Sequence, residues 1–122
     1  MKGMFVNDSG PVKFARKIVD AEKIAETRSR NMLSALVGER VAVVQTGRGA
    51  PLVIGSVTVT GSWFCPAEEF GKHYAEHLVP AGSKYDGSSR GKWFYYLADP
   101  VAVDPFPLPP SAIRHGRSWC EF

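Results

Sequence analysis

Between Ala21 and Arg28 the chain changes its periodicity, and that change limits what can be built around it. Up to Asp20 the apolar residues Phe14, Ala15, Ile18 and Val19 recur at helical spacing, with Arg16, Lys17 and Asp20 on the other side. After Lys23 a helical period fails and alternation takes over. It places Ile24, Glu26 and Arg28 on one face and Ala25 and Thr27 on the other. A helix-to-strand junction that carries Lys23 in its turn, then Glu26 and Arg28 side by side, is a poor core element. It is better suited to the wall of a polar cleft.

The rest of the sequence predicts mostly strands. Residues 2–6 predict a short strand, and Asp8 or Ser9 the cap of the helix that follows, with Pro11 in its first turn. A short helical stretch is expected over 31–36, ending at Gly38. Residues 41–46 and 52–60 are rich in β-branched side chains, and Gly47-Arg48-Gly49-Ala50-Pro51 supplies turn chemistry, so a hairpin is expected there. Pro66 should open a helix to about Leu78, with Phe70, Tyr74 and Leu78 on one stripe. A polar, glycine-rich loop over 82–91 and an aromatic strand from Trp93 come next. The proline-dense stretch 100–110 is expected to be neither helix nor central strand. Mixed strands with few helices define an α+β chain, most simply a curled or barrel-like sheet. A length of 122 residues fits a single domain, 1–122, with a real core.

Composition excludes several classes. No apolar run is long enough for a membrane span, and the polar residues Asn7-Asp8-Ser9-Gly10 interrupt any leader-like stretch, so a cytoplasmic protein is expected. Cys65 and Cys120 lack metal-ligand spacing and are too few for a disulfide framework. Two free thiols are the simpler expectation. A net charge of +3 with a sequence pI near 9.0 is compatible with a polyanionic partner.

Four constellations can carry chemistry. Lys23 in a cleft can act as base or nucleophile if burial and Arg28 lower its pKa, or hold a phosphate if it stays charged. Glu26 opposes the lowering, and a solvated Lys23 beside a surface Glu26–Arg28 pair is the bland alternative. His73-Tyr74-Ala75-Glu76-His77 has the H-x-x-E-H pattern, but the short proline-rich tail offers no persuasive third ligand, so no metal and no cofactor is expected. Gly87-Ser88-Ser89-Arg90-Gly91-Lys92 fails the phosphate-loop pattern because Trp93 stands where a hydroxyl is needed. Lys84, Arg90 and Lys92 can still cover a phosphate, or merely decorate a connector. Of Trp93, Phe94, Tyr95 and Tyr96, alternation sends two rings to a core and two outward or into a cleft, where one can stack on a base.

The spacing Ala21-x-Lys23-x-x-Glu26-x-Arg28 resembles the G-x-K-x-x-E-x-R signature of the ASCH domain family, a branch of the PUA-like folds. The likeness extends to Gly38-Glu39-Arg40-Val41, to 46–55, to Lys92-Trp93-Phe94-Tyr95-Tyr96-Leu97, and to Gly116 with Trp119. Ala21 replaces the motif's glycine, and Ala25 and Thr27 are smaller than the family usually carries. The resemblance implies an ASCH-like curled β-barrel sheet with a few flanking helices and a cleft for RNA or a nucleotide. Lys23, Arg28, Arg30, Arg90, Lys92 and Trp93 would be its contacts. Some family members hydrolyse acetylcytidine and others are reported as ribonucleases, so a hydrolase is the alternative implied. Lys23, Glu26 and Glu76 would be its catalytic residues, although Glu26 replaces a threonine of the amidohydrolases, and Glu68 and Glu69 compete with Glu76. A third expectation is an adaptor, with residues 105–110 as a polyproline ligand.

Overall fold

The computed structural model describes residues 1–122. Its strands are β1 (Lys2–Asn7), β2 (Ala25–Arg28), β3 (Arg40–Thr46), β4 (Leu52–Cys65), β5 (Lys92–Pro107), β6 (Ile113–His115) and β7 (Trp119–Glu121). Helix α1 (Phe14–Val19) lies between β1 and β2. Between β4 and β5 run α2 (Ala67–Phe70), a 3-10 turn (Gly71–His73) and α3 (Tyr74–His77). One seven-stranded sheet has the order β2-β5-β4-β3-β1-β7-β6, with β1 and β3 parallel and every other pair antiparallel. The α+β expectation therefore holds. The sheet curls without closing: β2 and β6 end it, and no ladder joins β2 to β1. The curl nonetheless brings β2 against β1, where Arg28 Nη2 donates to the Phe5 carbonyl at 2.6 Å.

The concave side encloses the main core, in which Met4, Val6, Ile18, Val43, Ile54, Val57 and Tyr95 are buried together. Burying such aliphatic side chains contributes on the order of 1.5–3 kcal/mol each before entropy is counted. Helix α1 lies on this core and comes very close at Gly55, where a Cβ would stand 2.5 Å from Val19 Cγ1. Asp8, fully buried, caps the helix from a distance by accepting the Ala15 N–H at 2.6 Å, and Gln45 Nε2 donates to its other oxygen. The helix thus begins at Phe14, later than Ser9 or Pro11 suggested.

Other sequence expectations change for identifiable reasons. The helix expected from Pro66 to Leu78 breaks into short pieces and ends with Leu78 at φ +59°. Tyr74 is half exposed, and His77 takes the buried place beside Phe70. Strand β5 runs on through the proline-dense stretch, but there it pairs with β4 alone, so the expectation that these residues form no central strand holds. Pro100 and Pro105 fall inside register shifts against β4, and β2 covers only Trp93 to Tyr96, so a missing N–H breaks no ladder there. Residues 105–107 are strand and do not form a polyproline segment. At the other end of β5 both faces are buried: Tyr95 enters the main core, and Phe94 a second cluster with Ala25, Cys65, Phe70 and Val79. Cys65 and Cys120 are free, buried thiols in different clusters.

The junction after α1 is the strained point. The N–H groups of Glu22 and Lys23 both return to the Lys17 carbonyl, and Ala21 takes φ +64° to let them. A side chain there costs about 1 kcal/mol that glycine does not incur, offset in part by glycine's freer unfolded chain. Ala21→Gly should therefore raise stability by about 0.5 kcal/mol, and Ala21→Val should lower it, both read by urea unfolding.

Candidate functional site

Where the curled sheet stays open, a cavity of about 510 Å³ lies between β1 and β2. One bank carries Glu26, Thr27, Arg28 and Ser29 from β2 and the residue after it, with Lys92 at the start of β5. The other carries Phe5, Val6 and Asn7 from β1, with Arg114, Gly116, Arg117 and Ser118 from the β6–β7 hairpin. Phe14 of α1 and Lys84 and Tyr85 of the loop before β5 complete the wall, with Phe14 and Tyr85 edge-to-face at 5.9 Å.

Alternation along β2 sends Glu26 and Arg28 inward beside Tyr95 and Trp93, while Ala25 enters the second cluster. Glu26 is buried and sits between two cations, its Oε1 3.4 Å from Lys23 Nζ and its Oε2 2.8 Å from Arg28 Nη2. Lys23 is only 1% exposed, so it is a floor residue of the cavity with no free ammonium at the mouth. It donates to the His77 carbonyl at 2.5 Å and lies 5.0 Å from the centroid of the Phe14 ring. Burial lowers the Lys23 pKa and Arg28 adds to this, while Glu26 works the other way. Burial alone would raise that of Glu26, but Arg28 and Lys23 together outweigh it and hold the carboxyl below its ordinary range. The result is a fixed carboxylate flanked by two cations.

Lys92 is also buried, reaches Ser29 Oγ at 3.1 Å, and has its pKa lowered by burial and by Arg28. The structure thus brings together Lys23, Glu26, Arg28 and Lys92. It does not bring in Glu76, whose Oε1 accepts from the Tyr96 hydroxyl at 3.0 Å and stands 2.8 Å from His73 Nδ1. Arg30 and Arg90 are exposed beyond the cavity lining, and Trp93 packs against the main core and Phe64. Both nitrogens of His77 are occupied: Nε2–H donates to the Phe70 carbonyl at 2.9 Å, and Nδ1 accepts the Val79 N–H at 2.8 Å. That arrangement suits the neutral imidazole and leaves no lone pair for a metal. No group of three or more His, Cys, Asp or Glu is placed to hold a metal ion, and no helix is long and apolar enough to cross a membrane.

Sequence reasoning missed Phe14, Ser29, Tyr85, Arg114 and Arg117. Arg114-His115-Gly116-Arg117 is visibly a basic turn, but only the pairing of β7 with β1 carries it to the cavity.

This architecture is the ASCH-domain fold. The chain is similar to the crystal structure of the ASCH protein from Zymomonas mobilis, with TM-score 0.71 and 20% identity over 88% of this chain and 73% of that one. A serine-to-alanine variant of that protein gives TM-score 0.73 at 20% identity, covering 96% of this chain and 85% of the other. A tyrosine-to-phenylalanine variant gives 0.71 at 21% identity over 88% and 75%. No protein-family model matches the sequence, and neither does any curated protein.

Removing the central carboxylate should be costly. Glu26→Gln leaves Lys23 buried beside Arg28 without compensation, and should destabilise by about 3 kcal/mol. In the wild type, Glu26 binds its proton more readily unfolded, near the ordinary 4.5, than folded. Its contribution is therefore complete above that value and lost as pH falls through the lower, folded one. Urea unfolding between pH 3 and 7 should show this acid-side loss in the wild type and a flatter profile in Glu26→Gln.

Proposed function

We propose that the cavity binds RNA or a nucleotide through its phosphates. The observation that carries this reading is the charge of the lining. Lys23, Arg28, Lys84, Lys92, Arg114 and Arg117 face a single carboxylate, Glu26, which is already paired with two of them. An uncompensated cationic concavity of this kind attracts a polyanion and concentrates its field. The size suits one nucleotide, at the lower end of small-ligand sites. Phe14 and Tyr85 offer an apolar wall against which a base can lie, while Arg114 and Arg117 on the hairpin and Lys84 on the opposite loop receive phosphate at the rim. Arg28 contributes charge from within, as does Lys92 when protonated, and Lys23 acts as a positioning residue by fixing Glu26.

Hydrolysis through Lys23, Glu26 and Glu76 draws less support, because the Glu76 carboxylate is engaged by His73 and Tyr96 outside the cavity. The ASCH fold of the Zymomonas mobilis structures favours neither chemistry by itself.

A short single-stranded RNA, titrated by fluorescence anisotropy over a salt series, tests the proposal. Affinity should fall as salt rises. Lys84→Ala and Arg117→Ala, both exposed positions, should each reduce the slope of log K against log salt by about 0.7 and weaken binding about tenfold. RNA affinity that is independent of salt and equal in both variants would overturn it.

A further inference from the structure

Lys92 makes no salt bridge with the neighbouring Lys23–Glu26–Arg28 network, and its hydrogen-bond partner is Ser29. Ser29 follows the last residue of β2 and is exposed, whereas Lys92 opens β5 and is buried. Nζ and Oγ are 3.1 Å apart, and both residues line the cavity. The lysine stem is confined, since a Cβ on Gly87 would come within 2.5 Å of Lys92 Cγ. Glu26, the one carboxylate of the cavity lining, is taken by Lys23 and Arg28, and the Lys92 amine is directed at a serine hydroxyl. A buried amine aimed at an accessible hydroxyl is the arrangement of a Ser–Lys nucleophile pair.

From this geometry we infer that Ser29 and Lys92 form a nucleophile–base dyad that hydrolyses an acyl ester carried on an anionic, phosphate-bearing compound. The anionic carrier rests on the function proposed above; the dyad does not. Ser29 Oγ attacks the ester carbonyl, its proton passes to Lys92 Nζ, and the C–O bond to the leaving alcohol breaks as Lys92 returns the proton to that oxygen. Water then attacks the acyl-serine, giving its proton to Lys92, and the C–Oγ bond breaks as Ser29 is reprotonated. The products are a carboxylic acid and the free alcohol, and no other reactant is needed. Arg28 lines the same bank and adds positive charge beside the carbonyl oxygen on which negative charge develops. Arg114 and Arg117 lie across the cavity, so a phosphate held there leaves the acyl group on the Ser29 side.

The base must be neutral to act. Burial lowers the Lys92 pKa and Arg28 lowers it further, against Glu26 on β2 and Asp86 in the preceding loop, while Lys23 and Lys84 add positive charge to the same cavity.

The experiment is labelling with a fluorophosphonate, read by intact mass and peptide mapping. A single adduct on Ser29 is expected, absent in Ser29→Ala. Lys92→Arg keeps the charge but accepts no proton, so its labelling should be at least about 100-fold slower in protein that still melts cooperatively. The wild-type labelling rate should rise with pH through one titration below 10.5, the ordinary lysine value. No adduct, an adduct elsewhere, a flat pH profile or wild-type labelling in Lys92→Arg would overturn the dyad. Protection of Ser29 by 5′-AMP supports the anionic carrier. Labelling that 5′-AMP leaves unchanged overturns the carrier assignment and leaves the dyad standing.

Discussion

The carboxylate of Glu26, buried between Lys23 and Arg28, is the interaction on which the rest of this molecule depends. Each cation would be expensive in its place without it, because an ion taken from water loses several kcal/mol of hydration. Together the three hold one another's charge state and fix three pieces of backbone. Lys23 ties the end of α3 through the His77 carbonyl, Glu26 anchors β2, and Arg28 reaches across to β1. The lining of the cavity is built on this frame. Of the six basic side chains in that lining, Glu26 pairs with Lys23 and Arg28 and with no other.

Legibility in the sequence followed distance along the chain. Lys23, Glu26 and Arg28 sit within six residues, so alternation alone could place two of them on one face. The β3–β4 hairpin was readable for the same reason, with Gly47 and Gly49 both at positive φ between two β-branched runs. The opposite bank was not. Arg114 and Arg117 reach the cavity because β7 pairs with β1 across more than a hundred residues, and no local pattern encodes that pairing.

Two misreadings have a common cause, which is burial on both sides. Alternation assumes one wet face, yet Phe94 and Tyr95 are adjacent and both fully buried, in separate clusters. The helix expected after Pro66 fails in a related way. A stripe of Phe70, Tyr74 and Leu78 would bury Tyr74, whereas His77 stacks on Phe70 at 4.1 Å and the segment ends with Leu78 in the left-handed region. The prolines of β5 were legible, since beyond Leu97 the strand is paired on one side only. Their positions forbid a regular ladder, and the strand accommodates them by slipping register against β4.

The open seam has a mechanical consequence. Backbone hydrogen bonds run continuously from β2 through to β6 but never back again, so side-chain contacts span the gap, Arg28 to the Phe5 carbonyl and Ser118 Oγ to Met32 Sδ among them. A molecule seated in the cavity touches both banks and acts as a cross-brace, completing a ring that the polypeptide itself leaves incomplete. Its grip then resists spreading of the whole curl, including strands it never meets. Occupancy should register as stiffness far from the contact points, in the slow opening of the β3 and β4 amides at the back of the sheet.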